Sequence, residues 1–201
     1  MTTNDKFTFF GKGVFNQEKS EWVLRKKPMQ SVDITWVYDY IISDRARKAT
    51  EGLRAMPTTA TKTERGNFKK ANFEYVTFCG IFPYRDASSL EMRSPYICLD
   101  IDDLSSMEEA RRVQHMLCQD QYVETALCFV SPSGRGVKWV VELPEWTQGL
   151  PFLNQWYKLR NHLAFHYGLI ADPTGKDVCR ACFLPHDEFC YINSKYQDNN
   201  L

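Results

Sequence analysis

Short apolar runs separated by polar turns recur along the chain and predict β-strands. FTFFGKGVF and SEWVLRKKP predict two strands joined by a glycine-containing turn, and Pro28 ends the second. FEYVTFCGIF predicts a strand that is interrupted at Gly80. The same pattern predicts strands in SPYICLDIDDL, ALCFVS and VKWVVEL, and two short strands around a polar loop in LIADPTGKDVCRACFL.

Three other segments are predicted to form helices, and the first and third have the 3.6-residue apolar spacing of amphipathic helices. The first follows Ser31 or Asp33, either of which is a candidate N-cap. The second is predicted over 105–118, because two serines precede two glutamates at the capping-box spacing. The third is predicted over 152–167, and Gly168 ends it.

Strands and helices alternate without repeats or long linkers, which predicts a mixed α/β fold in one domain of 201 residues. We expect an N-terminal α/β module over 1–90, a second module over 91–190 that contains the acidic motifs, and a tail over 191–201. Residues 56–72, MPTTATKTERGNFKKAN, have little apolar periodicity and are predicted to form an exposed, mobile basic loop.

Composition excludes several classes of protein. The chain is 43% hydrophobic, 14% aromatic and 25% charged, which is typical of globular proteins and not of disordered or collagen-like chains. No apolar run reaches the ~18 residues of a membrane span, and the first ten residues lack the pattern of a secretory signal. We therefore expect a cytoplasmic protein without a membrane partner, whose seven cysteines are reduced thiols.

Charge is balanced overall but unevenly distributed. Residues 1–90 contain fifteen Lys and Arg against ten Asp and Glu, and residues 91–201 contain ten against fifteen. This asymmetry is consistent with a basic half that binds anions and an acidic half that holds cations. Chance segregation of surface charges explains it equally well.

The clearest chemical motif is the acidic pair in YICLDIDDL. Along a strand, Asp100 and Asp102 point to the same face, opposite the apolar residues between them. Two adjacent carboxylates on such a strand repel each other unless a cation compensates them, and hard oxygen ligands favour Mg²⁺ or Mn²⁺. The alternative is an ordinary strand end at which Asp102 and Asp103 start the next helix.

Two further motifs would complete a metal–nucleotide site. In SPSGRGVKW, glycines and serines favour a turn whose backbone N–H groups converge on an anion, with basic side chains beside it. Asp172 follows the short apolar run LIA, although an acid before Pro173 is also a common turn former. If the site is real, the three carboxylates should lie within about 8 Å of one another. The pocket should also be free of protein cations.

In their order, DID, SPSGRGVK and ADPTGKDVCR resemble the three motifs of archaeo-eukaryotic-type primases and primase-polymerases. The sequence is most similar to the VirE N-terminal-like domain of bacterial mobile elements and phages, from about Asn4 to Asp187. The resemblance implies a catalytic sheet related to the RNA-recognition (RRM-like) fold beside a smaller N-terminal α/β module. It also implies nucleotidyl transfer with two divalent ions, Mg²⁺ or Mn²⁺, from nucleoside triphosphates on a single-stranded DNA template.

The resemblance assigns roles to individual residues. The metal acids are Asp100, Asp102 and Asp172, and the residues that would bind the triphosphate are Ser131, Ser133, Arg135, Lys138 and Arg180. Many primases have histidine where this chain has Lys138, and a lysine binds phosphate without replacing every function of an imidazole. The printed sequence contains no GxxxxGK[ST] loop. A helicase-type ATPase is therefore expected on another chain or on a part outside this sequence.

Basic residues near the predicted loop are candidates for contacts with the template. They are Lys62, Arg65, Lys69, Lys70 and Arg85, and the neighbouring Phe68 and Phe73 could stack on bases. A solvated surface loop is the alternative. Zinc is not expected at Cys179, Cys182, His186 and Cys190, because the first two would point to opposite faces of a strand.

The sequence thus favours a primase or primase-polymerase, with a catalytically inactive DNA-binding or helicase-recruiting module as the alternative. A rolling-circle nicking enzyme is disfavoured because it needs paired histidines on a strand, and the chain has no HxH motif.

Overall fold

Two four-stranded antiparallel sheets form the centre of the protein in a computed structural model that describes residues 5–197. The strands are β1 (Phe7–Phe10), β2 (Val14–Asn16), β3 (Glu21–Val23), β4 (Gln30–Val32), β5 (Tyr75–Thr77), β6 (Gly80–Ile81), β7 (Met92–Arg93), β8 (Tyr96–Ile101), β9 (Thr125–Val130), β10 (Val137–Glu142), β11 (Cys182–Phe183) and β12 (Tyr191–Ile192). The helices are α1 (Ile34–Ile42), α2 (Arg47–Arg54), α3 (Lys62–Asn72), α4 (Met107–Cys118) and α5 (Phe152–Tyr167). The mixed α/β class predicted from the sequence is confirmed.

The strand orders show how the two halves of the chain join. The first sheet has the order β11-β5-β1-β4 and the second has the order β12-β9-β10-β8, while β2–β3 and β6–β7 form separate hairpins. β11 belongs to the C-terminal half but pairs with β5 of the N-terminal half. The modules predicted over 1–90 and 91–190 therefore share a sheet.

The second sheet is buried on both faces. One face packs against the first sheet and α1, in a core that includes Phe7, Val76, Leu127 and Phe129. The other face is covered by α4 and α5, in a core that includes Trp139. Because neither face of this sheet meets solvent, β9 is a continuous buried run, TALCFV, rather than an alternating one.

The predicted helix ends are confirmed at three positions. Asp33 caps α1 by accepting a hydrogen bond from the backbone N–H of Trp36 at 2.9 Å. Ser106 caps α4 in the same way. Gly168 ends α5 with a φ of 66°, a left-handed conformation that favours glycine.

The segment 56–72 is not the mobile loop that its weak periodicity predicts. Its second part is α3, which starts with a capping box between Thr61 and Glu64. None of the α3 residues is fully buried, so the helix has no apolar stripe that periodicity could detect. The T-x-x-E spacing was the signal in the sequence that could have identified it.

Other boundaries also differ from the predictions. The first predicted strand is divided between β1, which lies in the first sheet, and β2, which lies in a hairpin. No strand forms in the LIAD segment, and β11 is the only strand formed within 169–184. Within residues 5–197, no helix is long and apolar enough to cross a membrane.

Candidate metal centre

Asp100 lies on β8 and Asp102 directly follows the strand, on the side that faces away from α4 and α5. Ile97, Leu99 and Ile101 alternate with them and pack into the core beneath those helices. The two carboxylates therefore point into the space between the sheets, as the alternation along the strand predicts. Asp100 is buried, with 8% of its surface exposed.

Asp172 joins this pair through the open edge of β8. Its backbone N–H donates to the carbonyl oxygen of Asp100 at 2.7 Å. Its carboxylate accepts hydrogen bonds from the N–H and hydroxyl of Thr174, at 3.0 and 2.6 Å. One carboxylate oxygen from each of Asp100, Asp102 and Asp172 lies within 4.8 Å of the others. This acidic triad is the only such group of three metal-ligating side chains found in residues 5–197.

Protein cations contact two of the three carboxylates, contrary to the expectation of a pocket free of them. Lys138 lies directly opposite Asp100 in the β10–β8 ladder, and its ammonium group contacts Asp100 Oδ2. The guanidinium of Arg180 lies 3.4 Å from Asp172 Oδ2. The Lys138–Asp100 contact follows from strand register, which the sequence alone did not specify.

The surroundings shift the pKa values of these groups in different directions. Partial desolvation by the surrounding protein, together with the charge of Asp100, raises the pKa of Asp102, although part of this residue is exposed to solvent. Burial alone would raise the pKa of Asp172, but the hydrogen bonds from Thr174 and the charge of Arg180 outweigh it and lower that pKa. Burial would lower the pKa of Lys138, but the neighbouring aspartates raise it above the usual range. Lys138 is therefore a permanent cation at neutral pH.

The chemistry of the triad fits a divalent cation. Asp100 Oδ1 is buried and has no hydrogen-bond partner among the described residues, which leaves a ligand atom unsatisfied. Ligand oxygens around one Mg²⁺ are about 2.9 Å apart in adjacent positions and about 4.2 Å apart in opposite positions, so three oxygens within 4.8 Å of one another need only a small movement to share an ion. Carboxylates alone do not distinguish Mg²⁺ from Mn²⁺.

The turn over 131–136 closes one side of the site and uses most of its backbone N–H groups internally. Within it, the N–H of Ser131 donates to Gly136, that of Gly134 donates to Ser131, and that of Arg135 donates to the Ser133 hydroxyl. These three N–H groups are therefore used inside the turn. The hydroxyls of Ser131 and Ser133, 3.1 Å apart, line the cleft in their place.

Gly136 brings the turn close to the acidic triad. A Cβ atom at this position would lie 2.6 Å from the carbonyl oxygen of Ile101 and 3.0 Å from Asp102 Oδ1. A glycine is needed here for close approach, whereas the sequence had suggested only a turn former. Arg54 of α2, which sequence reasoning missed, supports the turn by donating to the carbonyl oxygen of Pro132 at 3.3 Å.

A cleft of about 580 Å³ opens in front of the triad. Asp100, Asp102, Lys138 and Arg180 line it, together with Lys69, which extends from α3. The three carboxylates of the triad and the three basic side chains of the cleft have formal charges that balance without a metal ion. Arg135 lies outside the described lining, because its Nε donates to the carbonyl oxygen of Leu104 at 2.9 Å.

Comparison with known proteins shows the family. Residues 68–192 match the family model described as BT4734-like, N-terminal domain, over more than half of the chain. The chain belongs to the BT4734-like N-terminal domain family. The BT4734-like region contains the whole acidic triad and the 131–136 turn, whereas β2 and β3 precede it. No curated protein and no solved structure matches the chain significantly.

The basic residues predicted to contact nucleic acid have different environments in this BT4734-like chain. Lys62 and Lys70 lie on α3, where Lys62 is exposed, and Lys69 lines the cleft. Arg65 is engaged by the protein itself, since its guanidinium donates to the carbonyl oxygens of residues 53, 56 and 57. It therefore fixes the end of α2.

Two residues of the predicted nucleic-acid surface face inward. The guanidinium of Arg85 donates to the carbonyl oxygen of Cys179 at 3.4 Å and lies 5.8 Å from the centre of the Tyr75 ring. Phe73 is 1% exposed, so the prediction that it stacks on bases is wrong. Its neighbour Phe68 is only partly buried.

The residues considered for zinc are engaged elsewhere. Cys182 Sγ lies 3.9 Å from Cys98 Sγ, and the Nδ1 of His186 is 2.8 Å from the carbonyl oxygen of Ser43. All seven cysteines of the BT4734-like chain are free thiols.

Proposed function

We propose that this domain is a divalent-metal-dependent nucleotidyltransferase, a DNA primase or primase-polymerase that acts on single-stranded DNA in the replication of a mobile element or phage. The observation that carries the proposal is the convergence of Asp100, Asp102 and Asp172 within 4.8 Å, from separate stretches of the chain, beside a cleft with basic side chains. Such a centre is the common requirement of metal-assisted phosphoryl transfer.

The topology of the second sheet supports a primase-polymerase-like fold. β8, α4 and β9 form a split β-α-β unit with β10 inserted between the two strands, as in RRM-like folds. The segment after α5 returns to the free edge of β8, where Asp172 bonds to Asp100. This segment occupies the place of the fourth strand of a β-α-β-β-α-β unit, although it forms only an isolated contact.

Each polar group of the cleft has a role in the proposed reaction. Divalent ions held by the triad would activate an attacking 3′-hydroxyl and neutralise the leaving pyrophosphate. Lys138 and Arg180, released from their aspartates when a metal binds, would bind the triphosphate oxygens. The hydroxyls of Ser131 and Ser133 would donate to the same group. Arg135 stays outside this set because its side chain is bonded to Leu104.

A primer-extension assay tests the proposal. Wild-type protein is given Mg²⁺ or Mn²⁺ and labelled dNTPs or NTPs, on primed and unprimed single strands. The double variant Asp100→Asn, Asp102→Asn keeps side-chain shape and is expected to lose at least a hundredfold in rate. Asp103→Asn is the matched control, because Asp103 is adjacent and exposed but outside the triad. Equal extension by wild type and the double variant would refute the enzymatic function.

A specific observation favours the alternative, a catalytically inactive module that binds DNA or recruits a helicase. Lys138 and Arg180 contact Asp100 and Asp172, and together with Lys69 they balance the three formal charges of the triad without metal. Titration with Mn²⁺, followed by calorimetry, separates the two functions. Saturable Mn²⁺ binding that the double variant loses would support the enzyme. Absence of Mn²⁺ binding at millimolar concentration would support the inactive module. In both cases we propose that a helicase-type ATPase acts with this domain, from another chain or from a part outside this sequence.

A further inference from the structure

A shallow groove with aromatic walls lies between the β2–β3 hairpin and α3, and is called the hairpin groove below. It contains about 800 Å³ of open space. Its lining includes Phe15, Trp22, Met56, Glu64, Phe68 and Asn72. Phe15 has half of its surface exposed.

The aromatic rings of the groove are held in place before any ligand binds. Phe15 and Trp22 form a cross-strand pair with ring centres 5.7 Å apart. The hairpin is tied to α3 by a hydrogen bond of 2.8 Å from the N–H of Gly13 to the carbonyl oxygen of Lys70. A Cβ atom at Gly13 would lie 2.5 Å from the carbonyl oxygen of Val23, so only glycine allows this approach. A preorganised surface loses little entropy on binding.

The two segments that flank the groove are basic, although the charged side chain that lines the groove itself is Glu64. Residues 11–27 contain five basic and two acidic side chains, and α3 contains four basic and one acidic. The acid of α3, Glu64, accepts hydrogen bonds from the N–H and hydroxyl of Thr61, which fix its carboxylate at the helix end. Exposed rings within a basic surface are the usual means of binding single-stranded nucleic acid, because cations contact phosphates and bases stack on rings.

The hairpin groove adjoins the cleft of the metal centre. Trp22 lines the groove, and Leu24, two residues later along the same extended segment, lines the cleft. On α3, Phe68 lines the groove and the next residue, Lys69, lines the cleft. A single strand of nucleic acid that occupies the cleft can therefore continue directly into the hairpin groove.

We propose that the hairpin groove binds the single-stranded DNA template by stacking bases on Phe15, Trp22 and Phe68, next to the metal centre. The choice of DNA as the ligand rests on the proposed function. The inference that the groove is a stacking surface rests on its aromatic rings, on the basic segments that flank it and on its continuity with the cleft.

Binding of a fluorescein-labelled oligo(dT) 20-mer, measured by anisotropy in EDTA, tests the groove without any contribution from catalysis. The double variant Phe15→Ala, Phe68→Ala is expected to bind about tenfold more weakly, since each stacked base contributes substantially. Phe165→Ala is the matched control, because Phe165 is 86% exposed on α5 and outside the groove. Circular dichroism and thermal melting establish that each variant is folded.

Two further variants keep the test valid if the double variant unfolds. Trp22→Phe retains an aromatic ring but removes the indole. It is therefore expected to remove part of the quenching of tryptophan fluorescence that unlabelled oligo(dT) causes. Lys19→Gln, on the exposed turn of the hairpin, is expected to reduce the salt dependence of binding by a slope of about 0.7.

The outcomes distinguish the groove from the enzyme. Equal affinity of the Phe15/Phe68 and Phe165 variants would overturn the stacking surface, and tighter binding of oligo(rU) than of oligo(dT) would overturn DNA as the ligand. If wild type binds through the groove but extends no primer, the proposed function fails and the groove remains.

Discussion

Replacement of Asp187 by alanine is expected to destabilise the domain strongly. The Asp187 side chain is fully buried, and its carboxylate accepts two hydrogen bonds from the guanidinium of Arg111, at 2.9 and 2.5 Å. It also accepts from the backbone N–H groups of Val130, at 2.7 Å, and Phe189, at 3.1 Å. The substitution therefore leaves one cation and two backbone donors without their acceptor.

The size of the effect follows from this environment. Removing one partner of a buried ion pair costs about 3–5 kcal/mol of unfolding free energy. Arg111 retains 28% exposure of its side chain, so water partly solvates the released guanidinium. We therefore expect the lower end, about 3 kcal/mol, which corresponds to a fall in melting temperature of roughly 6–12 °C for a domain of this size.

Urea unfolding followed by tryptophan fluorescence and circular dichroism measures this loss. Glu108→Gln is the matched control, because Glu108 pairs with Arg112, the next residue of the same helix, at 3.0 Å. That pair is exposed, and its loss should cost less than about 0.5 kcal/mol. If the two variants have equal stability, the reasoning about the buried pair is refuted.

Three further predictions concern the metal centre and pH. Gly136→Ala is expected to displace Asp102 and weaken Mn²⁺ binding at least tenfold in calorimetry, and unchanged affinity would contradict the close approach. Lys138→Met removes the cation that competes for Asp100, so Mn²⁺ should bind about tenfold more tightly, or about 1.4 kcal/mol, and weaker binding would be inconsistent with competition. Burial alone would raise the pKa of Asp120, but hydrogen bonds from His162 and Tyr167 lower it. The stabilising effect of this carboxylate is therefore complete above its unfolded pKa of about 3.9 and disappears as pH falls through the lower folded value. Unfolding curves of wild type and Asp120→Asn should converge below pH 4, and a difference that grows there would contradict the assignment.

Local sequence signals identified most elements but not all. Helices α4 and α5 were predicted because capping residues and an apolar stripe coincide in each. α3 was missed because it buries no residue fully and its polar sequence resembles a loop. The strand predicted at LIAD does not form, because this segment bonds to β8 at an isolated position and then turns at Pro173.

The sequence by itself determined that Asp100 and Asp102 share one side of a strand, because alternation is a property of the backbone. It also determined the mixed α/β class, through the apolar periods of its segments. Only the tertiary structure decided that Asp172 completes the triad, since this depends on a hydrogen bond between residues 72 positions apart. The pairing of Lys138 with Asp100 was likewise decided by strand register. Strand register and long-range contacts arise from the packing of the whole core. No local sequence pattern encodes that packing.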